Sequence, residues 1–155
     1  MIGDPPFYVY KRPGLDDFLK MATSQFDTFI FTFGDKEYAE PLLDELCPFI
    51  DADHRLYRDS CETPSGNVKK DLSIFQRSKK DLILIDDSIS AVELNPNNTI
   101  QIRRWLGNPN DKFLIKLLPP ILEKCRIADD VRTVISKISI QKYRLNSQHP
   151  LPPHS

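Results

Sequence analysis

Residues 82–88 read Leu-Ile-Leu-Ile-Asp-Asp-Ser. Four consecutive aliphatic side chains leave a strand no polar face, so both of its faces must be covered, as in a parallel sheet layered with helices. Two adjacent carboxylates follow at once, and neither tolerates burial without a partner. The stretch therefore demands a covered strand whose carboxyl end opens into a polar crevice.

The remaining pattern fits that demand. Residues 7–11, Phe-Tyr-Val-Tyr-Lys, suit a strand and are broken by Arg12-Pro13-Gly14. Leu15, Phe18, Leu19 and Ala22 recur at helical spacing, with Asp16 and Asp17 where a helix dipole favours acids. Residues 26–32, Phe-Asp-Thr-Phe-Ile-Phe-Thr, read as a second covered strand ending at Thr32, and residues 36–46 as a helix stopped by Cys47-Pro48. Residues 49–70 lack a helical period; strand-like residues 54–57 and a Pro-Ser-Gly-Asn turn at 64–67 suggest a small β-hairpin insertion. Further strands are expected over 81–86 and 99–102, and helices over 110–125, despite Pro119-Pro120, and over 129–138. From residue 142 onward the composition is that of a disordered tail. Strands alternating with helices give an α/β layered fold with a mostly parallel sheet, one domain over residues 1–141.

Other classes are disfavoured. A formal net charge of -1 argues against a uniformly basic nucleic-acid face, so no direct nucleic-acid partner is expected. No apolar run approaches the roughly 20 residues of a membrane helix, and the first residues contain neither a secretory signal nor an Arg-rich transit peptide. Cys47, Cys61 and Cys125 are odd in number, without metal-ligand spacing, and read as free thiols.

In layered α/β folds, ligands bind outside the carboxyl ends of the strands. Thr32, Asp86 and Asp87 all fall at such ends. Two neighbouring carboxylates repel and call for a cation, either magnesium, a hard ion that takes oxygen ligands, or a lysine such as Lys69 or Lys70. A hydroxyl, an ammonium and a metal-binding carboxylate around one crevice suit a phosphate group. Each residue alone also fits a plainer role. Asp-Asp serves as a turn or N-cap, Thr32 as a strand former, Tyr38 as a packing residue, and Arg58 and the lysines as solvated charge.

Taken together, several stretches resemble the small C-terminal-domain phosphatase family of the haloacid dehalogenase superfamily. They are residues 8–19 (Tyr-Val-Tyr-Lys-Arg-Pro-Gly-Leu-Asp-Asp-Phe-Leu), 29–32, 36–41, 56–61, 66–73, 82–88 and 110–119, in the family's order and spacing over about residues 8–138. The resemblance implies a Rossmann-like haloacid dehalogenase fold with a β insertion over about 49–70, and removal of phosphate from phosphoserine or phosphothreonine with magnesium. The substrate it implies is a phosphoprotein such as the RNA polymerase II tail. By resemblance, Thr32 binds a phosphoryl oxygen, Lys70 stabilises charge, Asp86 pairs with the lysine and Asp87 ligates the metal. Arg58 reaches the substrate phosphate and Tyr38 lines the pocket for the substrate's proline.

One departure is expected to matter. The family opens with a central strand ending Asp-x-Asp-x-Thr, whose first acid is the nucleophile and whose second is the general acid and base. Only Asp4 precedes Lys11-Arg12-Pro13 here, so the chain reads as an N-terminally truncated domain lacking that strand and without magnesium-dependent turnover. A catalytically inactive phosphopeptide-binding module is the alternative, including the type found in a mitochondrial import translocase. The family implies a nuclear or cytoplasmic location, or a mitochondrial one for the translocase type.

Overall fold

The computed structural model describes residues 9–138. Helix α1 (Leu15–Gln25) starts at Gly14, whose φ of 83° lies in the left-handed region. A Cβ there would stand 2.5 Å from Ile115 Cγ1, so this entry turn needs glycine on two counts. Strand β1 (Ile30–Phe31) follows, then helix α2 (Lys36–Leu46), strand β2 (Arg55–Leu56) and a single helical turn α3 (Arg58–Cys61). Strand β3 (Leu84–Asp86), helix α4 (Ile89–Leu94) and strand β4 (Thr99–Gln101) make the next unit. Helix α5 (Leu118–Ile127) and a helix α6 over 131–138 close the described chain.

The sheet is mostly parallel, as the sequence implies, but it is divided. β1 pairs with β2 in parallel, β3 pairs with β4 in parallel, and among the described residues no strand joins the two pairs. Side chains alternate across β3 with the period of a strand. Ile83 and Ile85 pack toward Leu114, Leu118 and Leu122 of the main core, whereas Leu82 and Leu84 pack toward Leu72 and Ala91. Both faces are covered, which is why this stretch has no polar residue before Asp86.

Three local expectations change. The strand expected over 7–11 does not form at residues 9–11, where Val9 and Tyr10 are exposed and no ladder partner is present; residues 7–8 lie outside the described residues. A strand persists only where its backbone groups are paired. The hairpin expected over 49–70 contracts to one antiparallel bridge, Glu62–Val68, while residues 55–56 join the main layer beside β1. The helix over 110–125 divides into a π-helical segment, Phe113–Leu117, and α5. Pro119 and Pro120 fall in the first turn of α5, where their missing N–H groups cost no helical bond. The tail from residue 142 lies outside the described residues.

Two long-range ties hold the layers. Arg12 donates from Nε and Nη2 to both oxygens of Asp111, at 2.8 and 3.0 Å, and its guanidinium lies 5.2 Å from the Phe113 ring centroid. At the amino ends of the strands, Asp27 accepts from His54 (2.8 Å) and Arg77 (2.7 Å), and His54 stacks on Phe29. Hydrogen bonds to Asp53 and Asp27 outweigh burial and raise the His54 pKa above 6.5. Stability from this contact is therefore complete below pH 6.5 and lost as pH rises through the raised value. The melting temperature is expected to fall between about pH 6 and 8, with His54→Gln flattening that slope. An unchanged slope in a pH series of thermal melts would mean that His54 carries no such linkage.

Candidate phosphate site at the carboxyl ends of the strands

Lys70 reaches the carboxyl end of β3 from the loop before Leu72, and its Nζ lies 2.5 Å from Asp86 Oδ2. Both side chains are nearly enclosed, 12% and 7% exposed. Ser88 donates its backbone N–H to Asp86 Oδ1 at 2.9 Å. Burial pushes the Asp86 pKa up, but the Lys70 ammonium and the Ser88 amide outweigh it, so the carboxyl is held below its ordinary value. Lys70 Nζ also lies 4.7 Å from the centroid of the Phe33 ring. Phe33 is two residues past β1, so the carboxyl ends of β1 and β3 meet at one crevice.

Thr32 stands at that same end. Its N–H pairs with Leu56 O (2.9 Å), and its Oγ1 accepts from the Gly34 amide (3.0 Å). The hydroxyl thereby keeps its own proton to donate. Arg58 opens α3, and its backbone N–H donates to Gly34 O at 3.1 Å. That bond brings Arg58 to the loop two residues beyond Thr32, with its side chain exposed. Tyr38 lies in the first turn of α2, 75% exposed, rather than half-buried as its aromatic ring alone suggests. Lys69 is exposed, with its N–H bonded to Cys61 O at 2.8 Å. Burial pushes the Cys61 thiol up, so this buried sulfur is poorly suited to act as a thiolate.

Asp87 differs from its neighbour. It is exposed and has no hydrogen-bond or ion-pair partner among the described residues. The two carboxylates thus separate into one enclosed acid bound to lysine and one free acid facing solvent. Magnesium takes about six oxygens and keeps several waters. Among the described residues no three His, Cys, Asp or Glu side chains gather to hold an ion. Asp87 alone offers one ligand, so these residues do not build a magnesium site by themselves.

Three contributors escaped the reading of the sequence. Asn95, buried at the end of α4, donates from Nδ2 to Lys70 O (2.8 Å) and fixes the backbone that presents the lysine. Thr99 Oγ1 in turn donates to Asn95 O at 2.8 Å. Phe33 braces the ammonium. The only signal was Asn95-Pro96-Asn97-Asn98 after an apolar helix, which reads equally as a turn.

Comparison with known proteins agrees with this geometry. The profile of the NLI interacting factor-like phosphatase family matches residues 3–132. A probable C-terminal domain small phosphatase from Dictyostelium discoideum is 38% identical over 130 residues, 84% of this chain and 42% of that protein. CTD nuclear envelope phosphatase 1B from Danio rerio is 33% identical over 140 residues, 90% of this chain and 56% of that protein. The chain spans about half or less of these relatives. The solved structure of Fcp1, an essential RNA polymerase II CTD phosphatase, superposes with a TM-score of 0.51 at 23% identity, covering 92% of this chain and 39% of that one. That likeness extends the haloacid dehalogenase-like fold to the divided sheet and its helical layers. The chain belongs to the NLI interacting factor-like phosphatase family of the haloacid dehalogenase superfamily.

Proposed function

We propose that the crevice binds the phosphate of a phosphoserine or phosphothreonine in a protein segment. The observation that carries this reading is the enclosed Lys70–Asp86 pair, with the lysine against Phe33, the residue that follows Thr32. In this reading, Thr32 Oγ1 donates to a phosphoryl oxygen. Lys70 supplies positive charge where the anion gathers it, held in aim by Asp86 and by Asn95 on its carbonyl. Arg58 engages the phosphate from the solvent side with two parallel donors. Tyr38 meets the residue next to the phosphorylated one. Asp87 would be one ligand of a magnesium ion only together with oxygen ligands beyond those the described residues gather.

Hydrolysis through a phosphoaspartate needs a nucleophilic carboxylate, and residues 1–155 contain no Asp-x-Asp-x-Thr. The 155-residue chain is therefore expected to bind without turning over. Binding of a phosphoserine peptide, titrated by fluorescence anisotropy against its unphosphorylated twin, tests the site. At least tenfold preference for the phosphopeptide is expected, reduced several-fold by Arg58→Ala. Equal binding of both peptides would sink the phosphate reading. Magnesium-dependent phosphate release abolished by Asp87→Ala would instead show a nucleophile that we have not identified.

A further inference from the structure

Five of the eight arginines among the described residues form ion pairs: Arg12 with Asp111, Arg55 with Asp44, Arg77 with Asp27, Arg126 with Glu123 and Arg132 with Asp130. Arg58, Arg103 and Arg104 form none among the described residues, and all three are exposed. Their places are not scattered. Arg58 stands just past β2, and Arg103 and Arg104 just past β4. β1 and β3 border one groove, which makes β2 and β4 the outer strands. The three unpaired guanidinium groups therefore lie at the carboxyl ends of the outer strands, flanking the crevice at Lys70 and Asp86.

The backbone fixes where the β4 pair points. The ladder sets Asp86 opposite Gln101, and Ile102 N–H donates to Asp86 O at 3.0 Å. Ile102 packs into the main core. Alternation along the chain then directs Arg103 to the opposite face, the one on which Asp86 meets Lys70. The loop that follows is tied down. Trp105 Nε1 donates to Asn108 O (2.8 Å), Asn110 N–H donates to Asn108 Oδ1 (2.9 Å), and Gly107 takes a left-handed φ of 97°. Two acids adjoin this loop, and neither neutralises it. Both oxygens of Asp111 accept from Arg12. Those bonds chiefly hold its carboxyl below the usual range, with the charge of Arg103 a smaller contribution. Asp87 forms no ion pair among the described residues.

We propose that Arg103 and Arg104 form a second anion subsite beside the phosphate crevice, which takes an acidic side chain of the same bound segment. The inference rests on the phosphate reading above and names its substrate class: phosphoserine or phosphothreonine segments with an acidic flank. Adjacent guanidinium groups without acids raise a positive potential that a ligand's negative charge offsets. Their planar forks match a carboxylate with two parallel donors. The spacing follows from the sheet. Neighbouring strands stand about 4.8 Å apart and an extended segment advances about 3.3 Å per residue, so the acid lies about two or three residues from the phosphorylated one.

Labelled phosphoserine peptides are titrated into the 155-residue chain by fluorescence anisotropy. One set carries Glu at the second and third positions on either side of the phosphoserine, one carries Ala there, and one carries the same Glu residues about seven positions away. Each has an unphosphorylated twin. The near-acid phosphopeptide is expected to bind about fivefold or more tighter than the other two. Arg103→Gln with Arg104→Gln is expected to erase that margin while the preference for phosphate over no phosphate persists, and, both side chains being exposed, to leave the melting temperature unchanged. Lys79→Gln with Lys80→Gln, the same loss of charge before the amino end of β3, is expected to keep the margin. Phosphopeptides bound alike whatever their flank would overturn the subsite and leave the phosphate reading standing. An acid preference that ignores position, or survives loss of both arginines, would mean general charge attraction and overturn it too. Equal binding of phosphorylated peptides and their twins by the native chain would defeat the phosphate reading, and this subsite with it.

Discussion

Replacing Lys70 by methionine is expected to destabilise the domain by about 3–5 kcal/mol, the range for removing one partner of a buried ion pair. The substitution keeps the length of the side chain and most of its packing. What it removes is the cation 2.5 Å from an Asp86 carboxylate that is 7% exposed. Only the Ser88 amide then opposes burial of that charge, so Asp86 is expected to take up a proton more readily than in the native chain. The double variant Lys70→Met with Asp86→Asn is expected to recover at least half of the loss, since no uncompensated charge remains. Urea denaturation of the three proteins decides the matter. A loss below about 1 kcal/mol for Lys70→Met would class the pair with exposed ion pairs. The same pair sets an acid limit. The folded Asp86 pKa lies below 3.8, so its contribution is present above 3.8 and disappears as pH falls through the lowered value.

Leu118→Ala is the second large effect, expected to cost about 2–5 kcal/mol. Leu118 is 0% exposed and begins α5, in one cluster with Ile100, Leu114, Leu122 and Ile135. Truncation leaves a cavity bounded by a strand, a π-helical segment and two helices, so collapse around it is restricted. Leu117, its neighbour, is half exposed and should lose well under 1 kcal/mol on the same change. Thermal or urea unfolding of the two variants separates core burial from helix propensity, which is equal for both. Similar losses would contradict the assignment of Leu118 to the core.

The separation of Leu117 from Leu118 is a small instance of what one dimension hides. Residues 110–125 carry an apolar period, but a π-helical segment over Phe113–Leu117 shifts its phase, and no residue type announces that shift. Periodicity did identify α1 and α2 closely, because a single apolar stripe against polar residues admits few other folds. Strand lengths were read too long: residues 26–32 yield Ile30–Phe31, and 81–86 yield Leu84–Asp86. Apolar residues mark burial, whereas a ladder exists only where a neighbouring strand pairs with it.

The site divides along the same line. Asp86-Asp87 at a strand end, Thr32 at another and a lysine before Asp71 are visible in the letters, because residue type and adjacency are local facts. The sequence determined a covered parallel sheet, since four aliphatic residues in a row have no other stable placement in water. It also determined which polar groups stand at the carboxyl ends. Only the tertiary structure decided that Lys70 encloses Asp86 and leaves Asp87 to solvent, that Asn95 holds the lysine's backbone, and that β1 and β3 face each other across a groove. Those facts rest on pairings 16 and 25 residues apart and on the direction of backbone groups, which are fixed by packing rather than by neighbours in the chain.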